Sequence, residues 1–185
     1  MFNVGLEQLT GRPSMRKVAL DNLEQSGEMG HVGALRTLAE YFDEGKKEVW
    51  KKRAAEYFAK AAELGDASSQ NSLGVCLQNG TGVAKDEARA VAMYRAAVGQ
   101  NHLEAMCNLA FCYDQGIGDL AVDKCAAYAL FMRAADDGHG DGSFYVAWCL
   151  RDGDGVDVDT AQSAVYLKRA YAQGCTLVLP PLQKK

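Results

Sequence analysis

Small and apolar residues return along this chain at fixed distances from four glycines, Gly45, Gly80, Gly116 and Gly153. Counting back 11, 7, 6 and 3 positions gives Ala34, Leu38, Ala39 and Phe42, then Ser69, Leu73, Gly74 and Leu77. The third and fourth sets are Ala105, Leu109, Ala110 and Tyr113, and Gly142, Val146, Ala147 and Leu150. Residues spaced in this way share one face of a helix. The small residue six positions before the glycine lets a neighbouring helix approach closely. Each glycine then ends its helix, as a left-handed residue past a helix terminus does. Asp86, Asp123 and Asp159 follow where a helix N-cap belongs, and Gln162 makes a capping-box-like pair with Asp159. A second stripe marks a second helix: Ala55, Phe58 and Ala62; Ala90, Met93 and Ala97; Tyr128, Phe131 and Ala135; Ala164, Leu167 and Tyr171.

The four glycines are 35, 36 and 37 residues apart, inside the loops EGKKE, NGTGV, QGIGD and DGDGV. Alanines 61, 96, 134 and 170 open a second marker, KAAELG, RAAVGQ, RAADDG and RAYAQG, at spacings of 35, 38 and 36. Two markers in one register indicate a tandem repeat of helix pairs. The units run 30–66, 67–101, 102–139 and 140–175. Residues 14–29 read as a lone capping helix, with tails at 1–13 and 176–185, the latter placed to cover the last exposed face. The expectation is about nine helices and no sheet.

Composition adds bounds. Three prolines and few β-branched runs in 185 residues agree with helix. Residues 1–62 hold 10 Lys/Arg and 9 Asp/Glu, and the remainder holds 10 and 15. An acidic second half argues against a nucleic-acid partner. Apolar runs are too short for a membrane span, and the N-terminus lacks the basic and apolar regions of a signal peptide. The expected location is the cytoplasm, with the nucleus as an alternative, and there the six cysteines stay reduced.

The pattern A-x-x-x-L-G-x-x-Y-x-x-G-x-G-V-x-x-D, with SSQNSLGVCLQNGTGVAKDEARAVAMYRAA as its best copy, resembles the Sel1-like repeat, a relative of the tetratricopeptide repeat. Lys47 replaces the second loop glycine in copy one, and Gln100 stands at the final glycine of copy two. The resemblance implies an all-α fold, a right-handed α-solenoid of helix-turn-helix repeats, and an adaptor or scaffold that binds a partner protein or peptide in a concave groove. Groove positions of the tetratricopeptide relatives, nine, five and two before the glycine, carry over as Arg36, Glu40 and Asp43, and Asn71, Val75 and Gln78. The later units give Cys107, Phe111 and Asp114, and Phe144, Trp148 and Arg151. Phe111, Phe144, Trp148 and Arg151 are residue types that dominate interface hot spots. The C-terminal half is therefore the expected binding surface, for a segment with apolar anchors and some Lys or Arg. The plain alternative is that the aromatics bury against a neighbouring helix or the C-terminal tail.

Other chemistry is thin. Cys76, Cys112 and Cys149 share one column, with no C-x-x-C, and read as small buried side chains. The string DGDGVDVD lacks the glycine and the last carboxylate of a calcium loop. KKEVWKKR is a basic cluster, read either as a localisation or anion-binding patch or as a solvated helix start with Trp50 turned inward. His31, His102 and His139 fall at unit junctions without a triad partner. SMRK at 14–17 has the S-x-x-K form of penicillin-interacting enzymes without their other motifs. The expectation is no enzyme, cofactor or metal. The alternatives are a hydrolase like the proposed penicillin-interacting cysteine-rich relatives, or a fragment of a longer adaptor.

Overall fold

The computed structural model describes residues 13–178, all of whose regular structure is helical. The helices are α1 (Pro13–Glu28), α2 (Val32–Asp43), α3 (Glu48–Glu63), α4 (Ala67–Asn79) and α5 (Glu87–Val98). They continue with α6 (Leu103–Gln115), α7 (Lys124–Asp136), α8 (Gly140–Asp152) and α9 (Thr160–Ala172). Among the described residues, four helix pairs therefore follow α1, as the periodicity requires. The chain forms two compact units, one up to Ala97 and one from Val98. The tails at 1–12 and 179–185 lie outside the described residues.

In the first unit, Ala34, Leu38, Ala39 and Phe42 of α2 are buried, as are Ser69, Leu73, Gly74 and Leu77 of α4. Gly74 admits a neighbour: a Cβ there would lie 2.5 Å from the Tyr94 ring. Tyr94 is 1% exposed, and its hydroxyl donates to Gln78 Oε1 at 2.8 Å. The expected α5 stripe omits Tyr94 and Val91, both buried; Met93, which it includes, is only half-buried. Trp50 turns inward, stacking on Tyr41 and meeting Phe42 edge-on. Lys51 and Arg53 of the basic cluster are held by Asp43 and Glu24.

In the second unit, α6 packs on α7, α7 on α8 and α8 on α9. Met106, Ala110, Phe131, Ala134, Val146 and Leu150 form its main core. Phe144, Ala170 and Cys175 form a smaller one, joined by Leu177 of the C-terminal segment. The expected α9 stripe is one residue out of phase. Ser163 and Ala170 are buried, whereas Ala164 and Tyr171 face out. The Ser163 hydroxyl donates to the Ala147 carbonyl at 2.6 Å, which accounts for a buried hydroxyl there.

The caps follow the repeat. Gly80, Gly116 and Gly153 are left-handed, with φ of 69°, 67° and 77°. Asp123 and Asp159 accept from the backbone N–H of Ala126 and Gln162, and Asp86 accepts from that of Arg89. Copy one departs: α2 ends on Glu44 in right-handed geometry, and Gly45 lies under Trp50, where a Cβ would be 2.1 Å from the ring. The second loop glycine has a separate task. A Cβ on Gly82 or Gly155 would come 2.2 or 2.0 Å from the carbonyl oxygen of Lys51 or Lys124, at the start of an earlier helix. At the unit junction the left-handed residue of copy two is Asn101, φ 60°, not Gln100. Asparagine is the side chain that tolerates this conformation best after glycine.

Candidate partner-binding site

The three histidines occupy the residue before each of α2, α6 and α8. His102 and His139 cap their helices, Nδ1 accepting from the N–H of Ala105 at 3.3 Å and of Gly142 at 3.1 Å. Asp66 plays the same part for α4. Cys107 Sγ lies 3.6 Å from His139 Nδ1, a thiol beside an imidazole. Burial, with Asp141 and Glu104 adding to it, pushes the Cys107 thiol up to about 12. That thiol is protonated at neutral pH and sits in the core, the opposite of an activated nucleophile.

In the first unit the groove positions meet their own chain. Arg36 donates to Asp66 at 3.0 Å, Asp43 accepts from Lys51, and Gln78 is held by Tyr94. Asn71 and Val75 line an open pocket with Asp43, Lys51, Phe58, Ser72, Cys76 and Thr81. Glu40 is exposed, and burial of part of its side chain raises its carboxyl pKa.

The second unit corrects two expectations. Phe144 is 2% exposed and packs with Ala170 and Cys175, so it is core and not an open groove side chain. Cys107, 5% exposed, is also core. Phe144 is covered by α9 and the segment after it, and Cys107 lies in the core that α6 forms with α7 and α8.

Phe111 and Trp148 converge with Asp114 on one pocket. Its remaining walls are Lys124, Ala127 and Phe131 of α7, Tyr145 and Cys149 of α8, and Asp154 of the following loop. The pocket is small, about 50 Å³, and open to solvent on one side. Tyr145 is the hub. Its ring lies 4.7 Å from Phe111 edge-on, 4.9 Å from Phe131 and 6.4 Å from Trp148. Such aromatic contacts hold their partners beyond simple area burial. Burial pushes the Tyr145 hydroxyl up to about 12 and the Cys149 thiol to about 12, so the floor is uncharged at neutral pH.

Charge gathers at the mouth. Lys124 Nζ lies 2.6 Å from Asp154 Oδ1 and 3.7 Å from Asp114 Oδ1. Arg151 holds Asp152 through Nε at 2.6 Å and a second bond at 2.8 Å, and the Trp148 indole N–H donates to the same carboxylate at 2.7 Å. Arg151 is thus committed to the C-terminal residue of its own helix. Three of the four carboxylates of the calcium-like string have protein partners too: Asp152 and Asp154 these cations, and Asp159 the N-terminus of α9, while Asp157 is exposed.

The two pockets are repeat equivalents. Lys51, Phe58, Ser72, Val75, Cys76 and Thr81 recur 73 residues on as Lys124, Phe131, Tyr145, Trp148, Cys149 and Asp154. Asp43 and Asp114 each stand two before their glycine. Sequence reasoning named the helix positions five and two before the glycine but missed Tyr145, Lys124 and Asp154. The 73-residue correspondence is the signal that picks them out.

The family profile described as Sel1 repeat matches residues 34–66, 67–102, 103–139 and 141–175, one match for each helix pair. The chain belongs to the Sel1 repeat family. Among solved structures, a Sel1 repeat protein from Oxalobacter formigenes has a TM-score of 0.80 at 22% identity, over 85% of this chain and 63% of that one. A protective antigen of uropathogenic Escherichia coli displaying an SLR fold gives 0.81 at 25%, over 94% and 38%. With the helix order above, these likenesses make the fold an all-α repeat solenoid. Among curated proteins, "Chitin synthase regulator SKT5" of Malassezia restricta is 31% identical over 123 residues, 65% of this chain and 8% of its own length. "Chitin synthase regulatory factor 3" of Schizosaccharomyces pombe is 38% identical over 65 residues, 35% and 7%. The chain spans less than a tenth of either relative.

Proposed function

We propose that this Sel1 repeat protein is an adaptor that binds a segment of a partner protein, with the pocket of α6, α7 and α8 as its anchor site. The observation that carries the reading is the meeting of four aromatic rings at a solvent-open pocket in a repeat position where the first unit has Ser72 and Val75. Packing does not demand that exchange, since the equivalent small side chains serve the same fold. Aromatic side chains in a partly open pocket are the usual anchors of protein recognition. Arg36, Glu40, Asp43, Asn71, Val75 and Gln78 supply a more polar face in the first unit. The likeness to two proteins named as regulators of a synthase agrees with a role exerted through another protein. No helix among the described residues is long and apolar enough to cross a membrane.

The test is selection of peptides from a random library on the full chain, with binders mapped by NMR. Binders should shift Trp148 and Tyr145. Trp148→Ala should then cost about 2 kcal/mol, roughly thirtyfold in affinity. Trp148→Phe, which keeps a ring in place, guards against simple unfolding. Binders that map elsewhere, or a folded Trp148→Ala that binds at full strength, would remove the anchor assignment.

A further inference from the structure

The mouth of the pocket has a chemistry of its own. Two carboxylates, Asp114 and Asp154, converge on one ammonium, Lys124 Nζ, beside the rings of Phe111, Phe131, Tyr145 and Trp148. The carboxylate side chains are 33% and 37% exposed and that of Lys124 is 45% exposed, so a cation from outside can reach them. The mouth therefore holds one more negative than positive charge. The surroundings agree: residues 98–185 contain 11 Asp/Glu and 7 Lys/Arg, while residues 1–97 balance at 13 and 13. The whole net charge of −4 lies in the unit that carries this pocket.

Resting on the adaptor function, we propose that the pocket receives an arginine side chain of the partner segment, and that Lys124 is its internal competitor, occupying the acidic mouth until the guanidinium displaces it. A guanidinium is planar, weakly hydrated and forked. It stacks on aromatic faces and pairs with carboxylates through two donors at once, as an ammonium does not. Flat rings and paired carboxylates on one pocket fit the first ion better than the second. The Lys124 ammonium pairs with the carboxylate rim, and its hydrogen bond to Asp154 raises its pKa, so it is a full cation when the partner arrives. In the first-unit counterpart, Lys51 pairs with Asp43, but Thr81 stands where Asp154 does and Val75 where Trp148 does. That site has neither the second carboxylate nor the indole, and it is not expected to take arginine.

The experiment titrates the full-length chain, labelled for NMR, with N-acetyl-arginine amide, its neutral counterpart N-acetyl-citrulline amide, and the lysine and trimethyl-lysine amides. The indole N–H of Trp148, which rests on Asp152, and the Tyr145 ring report occupancy. Arginine amide should move them saturably and citrulline amide should not. Lys124→Ala should tighten arginine binding about two- to fivefold, the range of a partly exposed ion pair. Lys168→Ala removes an equal charge from an exposed site and should leave it unchanged. Asp114→Asn with Asp154→Asn should abolish the response. Equal binding of citrulline and arginine amides, stronger binding of either lysine amide, or weaker binding in Lys124→Ala would each overturn the proposal. The adaptor function fails separately. Selected peptides that bind this face without arginine sink the arginine site and leave the adaptor, whereas a saturable arginine response with no peptide binding does the reverse.

Discussion

At the scale of single residues, glycines with different tasks should fail differently. Gly74→Ala drives a methyl into the Tyr94 ring, and overpacking of this kind costs about 1–3 kcal/mol. Gly155→Ala adds strain at φ +73° to a collision with the Lys124 carbonyl, a backbone atom that cannot swing away as a ring can. Urea titration should therefore rank Gly155→Ala as the more damaging; the reverse order would show that the loop yields more easily than the helix pair. The cysteines divide by burial. Cys125 is exposed, and Cys76, Cys107, Cys112, Cys149 and Cys175 are buried. A thiol reagent at pH 8 should titrate one group quickly in the native protein and all six after denaturation without reductant. Two or more groups protected after denaturation would mean disulfides.

At the scale of elements, each helix pair is bounded by the same punctuation, and the caps can be tested one at a time. Asp123 and Asp159 hold the first turns of α7 and α9 through one backbone N–H each. Replacing either with alanine should cost about 1 kcal/mol by denaturant titration, with helicity by far-UV circular dichroism retained. No loss at Asp159 would show that α9 is held by packing alone. Gln78 changes meaning once its neighbours are known. As a groove residue of little apolar area, it could be truncated with little effect. As the acceptor for the buried Tyr94 hydroxyl, its loss removes a hydrogen bond and should lower stability by about 1 kcal/mol.

At the scale of the molecule, the buried thiols make stability depend on alkaline pH. Burial raises Cys107 and Cys149 from 9.0 to about 12 in the folded chain. A raised pKa means that the protonated, folded form is favoured. The contribution is complete below about pH 9 and is lost as pH climbs toward 12. The melting temperature should therefore fall over that window, and fall less in a variant with both cysteines changed to alanine. An equal fall in both would assign the effect to other groups. Calcium at millimolar concentration should leave the melting temperature unchanged, because Asp152, Asp154 and Asp159 already have partners; a rise of several degrees would reveal a native-state site.

Much of this fold was legible in one dimension. The stripes of the first helix in each pair, the left-handed glycines of copies two to four and their aspartate caps are local features that repeat every 35 to 37 residues, so periodicity alone located them. Failures occurred where a side chain's fate depends on a second helix. Phe144 occupies a groove column yet is sealed by Ala170 of α9 and by Cys175 and Leu177 of the segment behind it, contacts that no spacing within α8 reveals. Tyr145, Lys124 and Asp154 come from two helices and a loop and share no spacing within one element, so only tertiary packing could assemble them. The sequence by itself determined the repeat, its punctuation and most of its core. The three-dimensional arrangement decided which aromatics stay open to a partner, since exposure is a property of what packs beside a residue and not of the residue.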